Sequence, residues 1–531
     1  MHIPNFLKTV IDDLPQCLLV GGCVRDHFLG LKPKDFDVEV YNITTEELIK
    51  TLKKHGKVDA VGQSFGVLKL HHKGEVYDFS QPRRDSRKGV GHKEFEIEVV
   101  VDMSPKEAGL RRDFTINSMG YDPKTNQIVD FHNGMNDLKN GIIRHTSDAF
   151  SEDPLRVLRA CQFAARFGFD VAPETVELCR SMKYEYSSLT PERVGEEWHK
   201  FFTKAQTPSK GLNFLKECEW IGFYPELQHL IGVQQEPEWH PEGDAWVHTL
   251  HCIDAMAELT KDLDPKERMI NMVAILCHDL GKATCTRYEM KNGAMRWTSH
   301  GHEAASVPLA EQFFKRISCG FRDAAKAFSR IAPMIGNHMV REPDIKDDRQ
   351  IRHLAEKLYP ATIVDLCNVI TSDNSGRPPM PKGEPDYVTN LLKRAEALNV
   401  KNHTLPRVVS GKALIDSGIP QGKEIGEMLN RVRKKELDGL VKTEEDGVNW
   451  LFAQPELVQA KGGPFGDDLI ARGFAPGKIF GIILGRAAIA RKEGKISNRD
   501  EALSWLDSQP EIINEISLTH KDVEKGIDHV K

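Results

Sequence analysis

Three carboxylates alternate with apolar residues in the short stretch KDFDVEV, residues 34–40. On a β-strand, Asp35, Asp37 and Glu39 would share one face, and the apolar residues would share the other. Carboxylates two residues apart can hold a pair of Mg²⁺ ions, the arrangement that phosphoryl transfer from a nucleoside triphosphate requires. The stretch therefore fits a two-metal site on Asp35 and Asp37; the alternative is that alternating acids simply face solvent on an edge strand. Glu39, farther along, has no motif support and is expected to be a solvated neighbour.

Residues near this stretch favour the same chemistry. Gly21 and Gly22 precede a predicted helix and would let the backbone approach phosphate oxygens, while Arg25 on that helix would add charged donors. Asp78, in the predicted strand EVYDF, could supply a third carboxylate, or it could be a solvated strand end.

A second set of potentially reactive residues lies farther along the chain. Adjacent His278 and Asp279 in ILCHDLGK are accompanied by further imidazoles and a carboxylate in WVHTL, SHGHE, GNHMV and TSDNSGR. These residues are His248, His302, His338 and Asp373. Mixed imidazole and carboxylate ligands favour a transition metal such as Ni²⁺, Mn²⁺, Co²⁺ or Zn²⁺ over Mg²⁺. His251 and His300 are competing candidates of lower rank.

The elements that would position these residues fall into two patterns. Up to about residue 145, short apolar runs such as CLLV, DFDVEVY, FGVLKL and EVYDFS predict strands between helices. From about Glu152 onwards, long amphipathic stretches predict helices. We therefore expect an α+β protein, with a mixed sheet first and a mostly helical remainder.

The length of 531 residues predicts several domains. We expect boundaries near Ser147, at WHPEGD and at GRPPMPKGEP. The predicted domains are a catalytic head at 1–146, a helical neck and body at 147–235, a metal-binding domain at 236–382 and a helical tail at 383–531.

Composition narrows the class of protein. With 40% hydrophobic and 28% charged residues, no apolar run long enough to span a bilayer and no signal-like amino terminus, the sequence predicts a cytoplasmic globular protein. Ten cysteines without a CxxC pair do not suggest a disulfide framework or a zinc knuckle, and most are expected to be buried hydrophobic residues. The net charge of −6 argues against indiscriminate nucleic-acid binding, although QPRRDSRKGVGHK and Arg111-Arg112 are locally basic.

The tail contains an internal duplication. Residues 411–451 align without a gap on residues 466–506, and twelve of 41 positions are identical, including the pair Trp450 and Trp505. Paired glycines punctuate both copies: Gly418/Gly473, Gly422/Gly477, Gly426/Gly481 and Gly439/Gly494. The tail is therefore predicted to be a duplicated helical module, for which packing is a better supported role than docking on a substrate or on a second protomer to form a homodimer.

Three ordered motifs carry a resemblance to a known family. They are GGCVRDHFLGLKPKDFDVEV at residue 21, RRDFTINSM at residue 111 and EDPLRVLRACQFAARF at residue 152. Together they resemble the bacterial-type CCA-adding tRNA nucleotidyltransferase and poly(A) polymerase family. The resemblance implies a polymerase-β-type head followed by a helical neck and body, with Asp35 and Asp37 on Mg²⁺. It also implies that the incoming nucleotide is contacted by Gly22, Arg25, Arg112, Asp153, Arg156 and Arg159.

The neck motif has a physical interpretation as well. If a helix starts near Glu152, Asp153 and Arg156 lie one turn apart on one face. Cytosine and adenine both present an amino donor beside a ring-nitrogen acceptor, whereas uracil and guanine present the reverse pattern. An acceptor beside a donor would therefore accept C and A without a template; the alternative is a surface ion pair of little consequence. One departure is Gln162, where the family usually has another arginine, a contact that Arg166 could replace.

The order H, HD, D in the second set resembles the HD-domain metal-dependent phosphohydrolases. The resemblance implies water activation on Ni²⁺ or another divalent transition metal, and hydrolysis of phosphomonoesters or cyclic phosphodiesters. CCA-adding enzymes with such a domain combine 2′,3′-cyclic phosphodiesterase, 2′-nucleotidase and phosphatase activities.

The sequence thus predicts an enzyme that adds C, C and A to tRNA 3′ ends from CTP and ATP. The alternatives are a poly(A) polymerase, a partial adder of CC or A, or an RNA-binding protein in which only the HD site is active.

Overall fold

The structure of the protein is a computed structural model. It describes residues 1–33, 35–59, 67–87, 95–319, 321–341, 344–417, 422–452, 464–472, 494–496 and 499–509, together with positions 483, 486, 487 and 490. The chain divides into two compact units. The first comprises residues 1–339 and 365–388, and the second comprises residues 340–364 and 389–531.

The amino-terminal part of the first unit is built on a mixed sheet. Among the described residues, seven strands follow the order β3-β4-β5-β2-β1-β8-β9. They are β1 (Gln16–Val20), β2 (Asp37–Tyr41), β3 (Lys57–Asp59), β4 (Val67–His72), β5 (Glu75–Ser80), β8 (Gly120–Asp122) and β9 (Gln127–Val129). A separate antiparallel pair is formed by β6 (Arg83–Arg87) and β7 (Phe95–Val99). Because β2 lies between β1 and β5, both of its backbone edges are paired.

Short helices surround this sheet. They are α1 (Asn5–Asp12), α2 (Gly22–Phe28), α3 (Thr45–Leu52), α4 (Pro105–Leu110), α5 (Thr115–Ser118) and α6 (Gly134–Asn140). Thr44 and Ser104 cap α3 and α4 in capping boxes with Glu47 and Glu107, which fixes where these two helices begin.

The rest of the first unit is mostly helical. A 3₁₀ turn (Asp148–Glu152) leads into α7 (Leu155–Phe167), α8 (Pro173–Ser181), α9 (Pro191–Lys204), α10 (Pro208–Glu217) and α11 (Pro225–Gln228), with further 3₁₀ turns at Met182–Ser188 and Trp220–Phe223. The following helices are α12 (Ala245–Leu259), α13 (Pro265–Cys277), α14 (Lys282–Cys285), α15 (His302–Ile317), α16 (Ala324–Asn337) and α18 (Ile363–Ser375). Two short strand pairs interrupt them: β10 (Ile142–Ile143) with β11 (Asp170–Val171), and β12 (Arg287–Lys291) with β13 (Ala294–Thr298). The α+β class expected from the sequence is confirmed.

The second unit contains the duplicated sequence. Its described helices are α17 (Asp348–Leu358), α19 (Asp386–Ala397, which begins in the first unit), α20 (Gly411–Asp416), α21 (Lys423–Leu437), α22 (Glu444–Phe452), α23 (Pro464–Ala471) and α24 (Arg499–Asp507). Each copy has its own apolar cluster, and buried positions recur at the same offset: Leu414/Leu469, Met428/Ile483, Val432/Ala487, Val441/Ile496 and Leu451/Leu506. Gly439 and Gly494 both have positive φ, at 79° and 74°. Of the paired glycines, Gly418, Gly473, Gly477 and Gly481 lie outside the described residues.

No helix in the described part of the chain is long and apolar enough to cross a membrane. All ten cysteines lie within the described ranges and none is in a disulfide, and eight of them are buried, as expected from their spacing. The domain boundaries and the cytoplasmic location stay predictions.

Two glycines of the first repeat provide a matched test of its core. An added Cβ at Gly447 in α22 would overlap the Val409 side chain, so Gly447→Ala should destabilise the repeat by about 1–3 kcal/mol. No atom lies within 4 Å of an added Cβ at Gly426 in α21, so Gly426→Ala should stabilise it by about 1 kcal/mol through helix propensity. Hydrogen-exchange mass spectrometry of peptides from residues 409–451 in the full chain measures both changes. Effects of the same sign would contradict this packing.

Candidate nucleotide and metal sites

The first site begins at the turn between β1 and α2. Gly21 has a φ of 73°, and an added Cβ would lie 3.5 Å from the Arg112 guanidinium and 3.6 Å from Asp37 Oδ2. A side chain at this position would be strained and would also contact both groups. The turn therefore places the backbone beside the first carboxylate of β2 and beside Arg112.

The carboxylates predicted to bind Mg²⁺ lie at the start of β2. Asp37 is the first residue of the strand, and its register partner on the parallel strand β5 is Asp78. Asp35 is exposed in the segment that precedes the strand. Burial raises the pKa of Asp37, and Asp78 and Asp35 raise it further, against the lowering effect of Arg112. A carboxylate whose charge is poorly compensated fits a divalent cation, so the donor set is suited to Mg²⁺ and favours Asp78 as a third carboxylate.

The expectation that Glu39 is solvated is wrong. Its side chain is 1% exposed, because β2 lies inside the sheet and Glu39 points to a face covered by the segment after α4. Arg111 lies 3.0 Å from Oε1, Arg112 lies 3.2 Å from Oε2, and the Tyr41 hydroxyl donates to Oε2 at 2.7 Å. Burial raises the pKa of Glu39, but Arg112, Arg111 and Tyr41 together bring it down to about 2. Glu39 is therefore an ionised anchor for both arginines.

The residue after this arginine pair, Asp113, extends the network to the neck. Its Oδ2 accepts two hydrogen bonds from Arg159 on α7, at 2.8 and 2.6 Å, and its Oδ1 accepts one from Asn117 at 2.9 Å. Asn117 in turn accepts a hydrogen bond from Arg25 at 2.6 Å. The sequence interpretation missed Asp113 and Asn117, although both lie within the RRDFTINSM motif.

The Arg25 guanidinium is fixed by several protein contacts. It also donates to Asp26 at 2.9 and 2.6 Å and lies about 5 Å from the ring centroids of Phe163 and Phe167 on α7. With 4% of the residue exposed, Arg25 forms a fixed wall that joins α2 to the neck helix.

Asp153 and Arg156 are fixed by different partners rather than by each other. The helix starts later than predicted, at Leu155, because residues 148–152 form a 3₁₀ turn. Asp153 accepts two hydrogen bonds from Arg193 on α9, at 3.2 and 2.7 Å. The Arg156 guanidinium donates to the carbonyl oxygens of Ala149 and Arg111, at 2.7 and 2.8 Å. The ion pair between Asp153 and Arg156 that was the alternative interpretation is not what holds either side chain.

These groups surround one open pocket of about 530 Å³. Its lining includes Asp37 and all six residues that the resemblance implies for nucleotide contact: Gly22, Arg25, Arg112, Asp153, Arg156 and Arg159. Nine of the lining residues are basic and three are acidic, so the pocket suits a polyanion. Gln162 also lines the pocket; it is 3% exposed and its Nε2 has no hydrogen-bond partner. Arg166, proposed as its substitute, lines the pocket one turn further on.

The second site consists of six side chains that lie on five helices or directly after them. His248 lies in α12, His278 and Asp279 directly follow α13, and His302, His338 and Asp373 lie at the start of α15, the end of α16 and the end of α18. All six are buried. The structure therefore brings the predicted set together, and it leaves His251 and His300 exposed outside it.

Asp279 lies at the centre of this cluster. Its Oδ1 is 3.2 Å from His302 Nε2 and 3.8 Å from His338 Nε2. Its Oδ2 is 3.2 Å from His278 Nε2 and 3.6 Å from His248 Nε2, and Asp373 Oδ1 lies 3.2 Å from the same His248 nitrogen. The possible metal-binding atoms thus form two groups, one around each carboxylate oxygen of Asp279.

The histidines are oriented as metal ligands are. Each Nδ1 faces a backbone carbonyl oxygen: Gly376 for His248, Ile275 for His278, Ser299 for His302 and Ile335 for His338, at 2.6–3.2 Å. Each Nε2 therefore faces the interior of the cluster, and an imidazole that donates from Nδ1 to a carbonyl can bind a metal through Nε2. His302 Nε2 and His338 Nε2 lie only 3.1 Å apart, and the buried His278 Nε2 has no hydrogen-bond partner. Burial lowers the pKa of His338 to about 3, so its ring is neutral. Convergent lone pairs of this kind fit a transition-metal centre.

Three residues around this cluster were missed from the sequence. Glu242 accepts from His248 Nδ1 at 2.7 Å, Lys282 lies 2.7 Å from Asp279 Oδ2, and Cys252 Sγ lies 3.3 Å from His248 Nε2. The available signals were the i, i+4 spacing of His248 and Cys252 and the lysine three residues after Asp279. Glu242 lies in WHPEGD, which had been interpreted only as a boundary.

Two known domain families match parts of this chain. Residues 17–144 match the poly A polymerase head domain, and residues 246–366 match the HD domain. The fold is similar to the Bacillus stearothermophilus CCA-adding enzyme in complex with CTP, with 20% identity, a TM-score of 0.56, and coverage of 84% of this chain and 96% of that chain.

Two further CCA-adding enzyme structures, a complex with CTP and an apo form II, each share 20% identity at a TM-score of 0.51 and cover 84% of this chain. They are themselves covered to 93% and 98%. The chain therefore contains a poly A polymerase head domain and an HD domain, and its predicted fold is confirmed.

Glu39 generates a pH-dependent prediction. Because its folded pKa of about 2 lies below the ordinary 4.5, its ionisation stabilises the fold above about pH 5, and this contribution is lost as the pH falls towards 2. Glu39→Gln should therefore destabilise the head by about 3 kcal/mol at neutral pH, and the difference from the unmodified protein should shrink in acid. Urea titrations read by pulsed hydrogen exchange of β1 and β2 peptides, from about pH 3 to 7, would measure it.

Glu75→Gln is the matched control. Glu75 on β5 also accepts a hydrogen bond from a tyrosine two residues along its strand, Tyr77, but it is exposed. Glu75→Gln should therefore change the free energy of unfolding little at any pH. A Glu39→Gln effect that is small or independent of pH would contradict the role of the buried carboxylate.

Proposed function

We propose that the head adds C, C and A to the 3′ end of tRNA without a nucleic-acid template, using CTP and ATP and releasing pyrophosphate. The observation that carries this proposal is that one basic pocket is lined by Asp37 and also by Asp153 and Arg156. The CTP in complex with the Bacillus stearothermophilus enzyme supports the same nucleotide class. The HD domain would act as a phosphohydrolase on the same chain.

In the head, Asp35 and Asp37 would hold Mg²⁺, with Asp78 as a further carboxylate. Bound Mg²⁺ would supply the charge that favours attack of a hydroxyl on the triphosphate and departure of pyrophosphate. Arg112, fixed by Glu39 beside Asp37, would bind the triphosphate. Arg159, paired with Asp113, would keep the neck helix against this region.

The neck would select the base by its hydrogen-bonding edge. A carboxylate has about four lone-pair positions and a guanidinium has about five donors. Asp153 uses some of its positions for Arg193 and Leu155, and Arg156 uses two donors for backbone carbonyls. The remaining acceptor and donors would pair with the amino group and ring nitrogen of C or A, and would oppose the reversed pattern of U and G. Side chains fixed by other protein groups can thus replace a template.

In the HD domain, His248, His278, Asp279, His302, His338 and Asp373 would hold Ni²⁺ or another divalent transition metal. Bound metal would supply an activated water for hydrolysis of a phosphomonoester or a 2′,3′-cyclic phosphate. Lys282 would balance the charge of Asp279, and Glu242 and the backbone carbonyls would keep the imidazoles in the ligand orientation.

Two alternatives have different support. A poly(A) polymerase or a partial adder of CC or A would use the same head and neck residues, and the adjoining HD domain favours the multifunctional CCA type. An RNA-binding protein with only the HD site active is opposed by the completeness of the pocket. A homodimer and a cytoplasmic location stay predictions.

Product analysis tests the reaction. We expect tRNA that lacks its last three nucleotides to gain two residues with CTP alone and three with CTP and ATP together, and then to stop. End-labelled transcripts on denaturing gels would show this. Long A-tails, or no extension at all, would overturn the proposal.

Paired variants separate the two sites. Asp37→Asn keeps the side-chain shape but removes the charge, and should slow nucleotide addition by about 10²–10³-fold while hydrolysis of 2′,3′-cyclic AMP with Ni²⁺ continues. His278→Ala should have the opposite profile. Each variant is the control for the other, and simultaneous loss of both activities in either one would contradict two independent sites.

Arg193 gives a prediction about selectivity. Arg193→Gln removes a charged anchor of Asp153, and because such bonds are worth about 1.5–3 kcal/mol, the preference in kcat/KM for CTP over UTP should fall by about tenfold or more. Lys200→Gln is the control, since Lys200 lies on the same helix and lines the same pocket but pairs with Glu197. It should weaken CTP and UTP alike. Unchanged selectivity in Arg193→Gln would contradict the role of this anchor.

A further inference from the structure

The HD cluster contains a sulfur atom in addition to imidazoles and carboxylates. Cys252 lies one helical turn after His248 on the same face of α12, and both residues are buried. Donor atoms of His248, Cys252, His278 and Asp373 all lie within 4.8 Å of one another. We propose that Cys252 is a thiolate ligand of one metal ion in this centre, together with His248, His278 and Asp373. This proposal rests on the metal site proposed above.

The distances suit a four-ligand site. Imidazole and carboxylate donors bind Zn²⁺ at about 2.0–2.2 Å and thiolates at about 2.3 Å, so neighbouring donors around one ion are separated by about 3–4 Å. Cys252 Sγ lies 3.3 Å from His248 Nε2, and that nitrogen lies 3.2 Å from Asp373 Oδ1. His278 Nε2, the fourth donor, is buried and forms no hydrogen bond, although Asp279 Oδ2 lies 3.2 Å away; this is an independent sign that a ligand belongs there.

The absence of a side chain at Gly376 leaves space for the Cys252 sulfur. Gly376 follows Asp373 by three residues, and an added Cβ at Gly376 would overlap Cys252 Sγ. The carbonyl oxygen of Gly376 also faces His248 Nδ1 at 3.2 Å. One residue without a side chain thus makes room for the sulfur and helps orient the neighbouring imidazole, so both donors face the same point.

Charge balance favours a thiolate. Asp373 is the carboxylate among the four donors. The negative charge of the neighbouring Asp279 is largely compensated by Lys282, which lies 2.7 Å from Oδ2. A divalent ion with one negative ligand would leave uncompensated charge in a buried site, which is costly. On binding, the S–H bond would break, the sulfur would bond to the ion, and the proton would pass to the solvent. Thiolate and Asp373 together would neutralise the ion.

A thiolate ligand changes the expected metal. Soft sulfur donors select Zn²⁺ and similar thiophilic ions, whereas Mn²⁺ and Mg²⁺ prefer oxygen. Of the transition metals considered, a thiolate from Cys252 therefore favours Zn²⁺ or Co²⁺ as the ion bound by these four residues.

Cobalt substitution tests the proposal on the full-length protein. Metal-free protein titrated with Co²⁺ should develop visible d–d bands together with a near-ultraviolet band from thiolate-to-cobalt charge transfer. Cys252→Ser should lose the near-ultraviolet band and keep the d–d bands. Cys285→Ser is the control, because Cys285 is partly exposed and lies outside the four-donor set, and it should retain both.

The outcomes separate the thiolate from the metal site itself. If d–d bands form in the unmodified protein without the charge-transfer band, Cys252 is not a ligand and the metal site stands. If no Co²⁺ or Zn²⁺ binds, or if His278→Ala binds as much as the unmodified protein, the HD metal site itself is overturned.

Zinc X-ray absorption of the unmodified protein gives the same answer if Cys252→Ser fails to fold. A sulfur shell at about 2.3 Å supports the proposal, and nitrogen and oxygen alone at about 2.0–2.2 Å overturn it.

Discussion

Glu39 is ionised inside the sheet at 1% exposure, and in the described part of the chain its opposite charges come from Arg111 and Arg112. That ion-paired contact fixes the segment against β2. The same short segment also holds two arginines of the basic pocket: the Arg111 carbonyl accepts from Arg156, and Asp113 binds Arg159. Removing one partner of such a buried pair leaves an uncompensated charge, so the geometry of the whole pocket depends on this contact.

The sequence identified groups whose role is local and missed groups whose role depends on distant partners. The strand and glycine-turn pattern was sufficient to predict a mixed sheet and the position of Asp37. The same alternation could not show that Glu39 is covered, because a period of two defines a face but not what packs on it. Arg193 was missed because its partner Asp153 is forty residues away on another helix. In the HD cluster, the order of the histidine and aspartate motifs located the six residues. Cys252 was grouped with the buried hydrophobic cysteines, although its spacing from His248 was a usable signal.

The two sites differ in their exposure to solvent and in the charges of their side chains. The head pocket is open and lined by nine basic and three acidic residues, so it attracts a polyanion and leaves one carboxylate, Asp37, with a raised pKa. The HD cluster is closed and places four inward-facing imidazole nitrogens around Asp279, with Lys282 as the counter-charge. A large charged triphosphate suits the first, and a dehydrated metal ion suits the second.

The two repeats of the tail show how a duplicated sequence can keep a core while exchanging volumes within it. Gly447 and Val432 of the first copy correspond to Ala502 and Ala487 of the second, so a larger residue at one position is matched by a smaller one at the other. Packing thus accounts for the recurrence of buried positions. It does not account for Ile415 and Ile470, identical residues at equivalent positions that are 42% and 44% exposed. Docking on tRNA or on a second protomer therefore stays an alternative for that pair, while the buried positions among the described residues are explained by the core of each repeat.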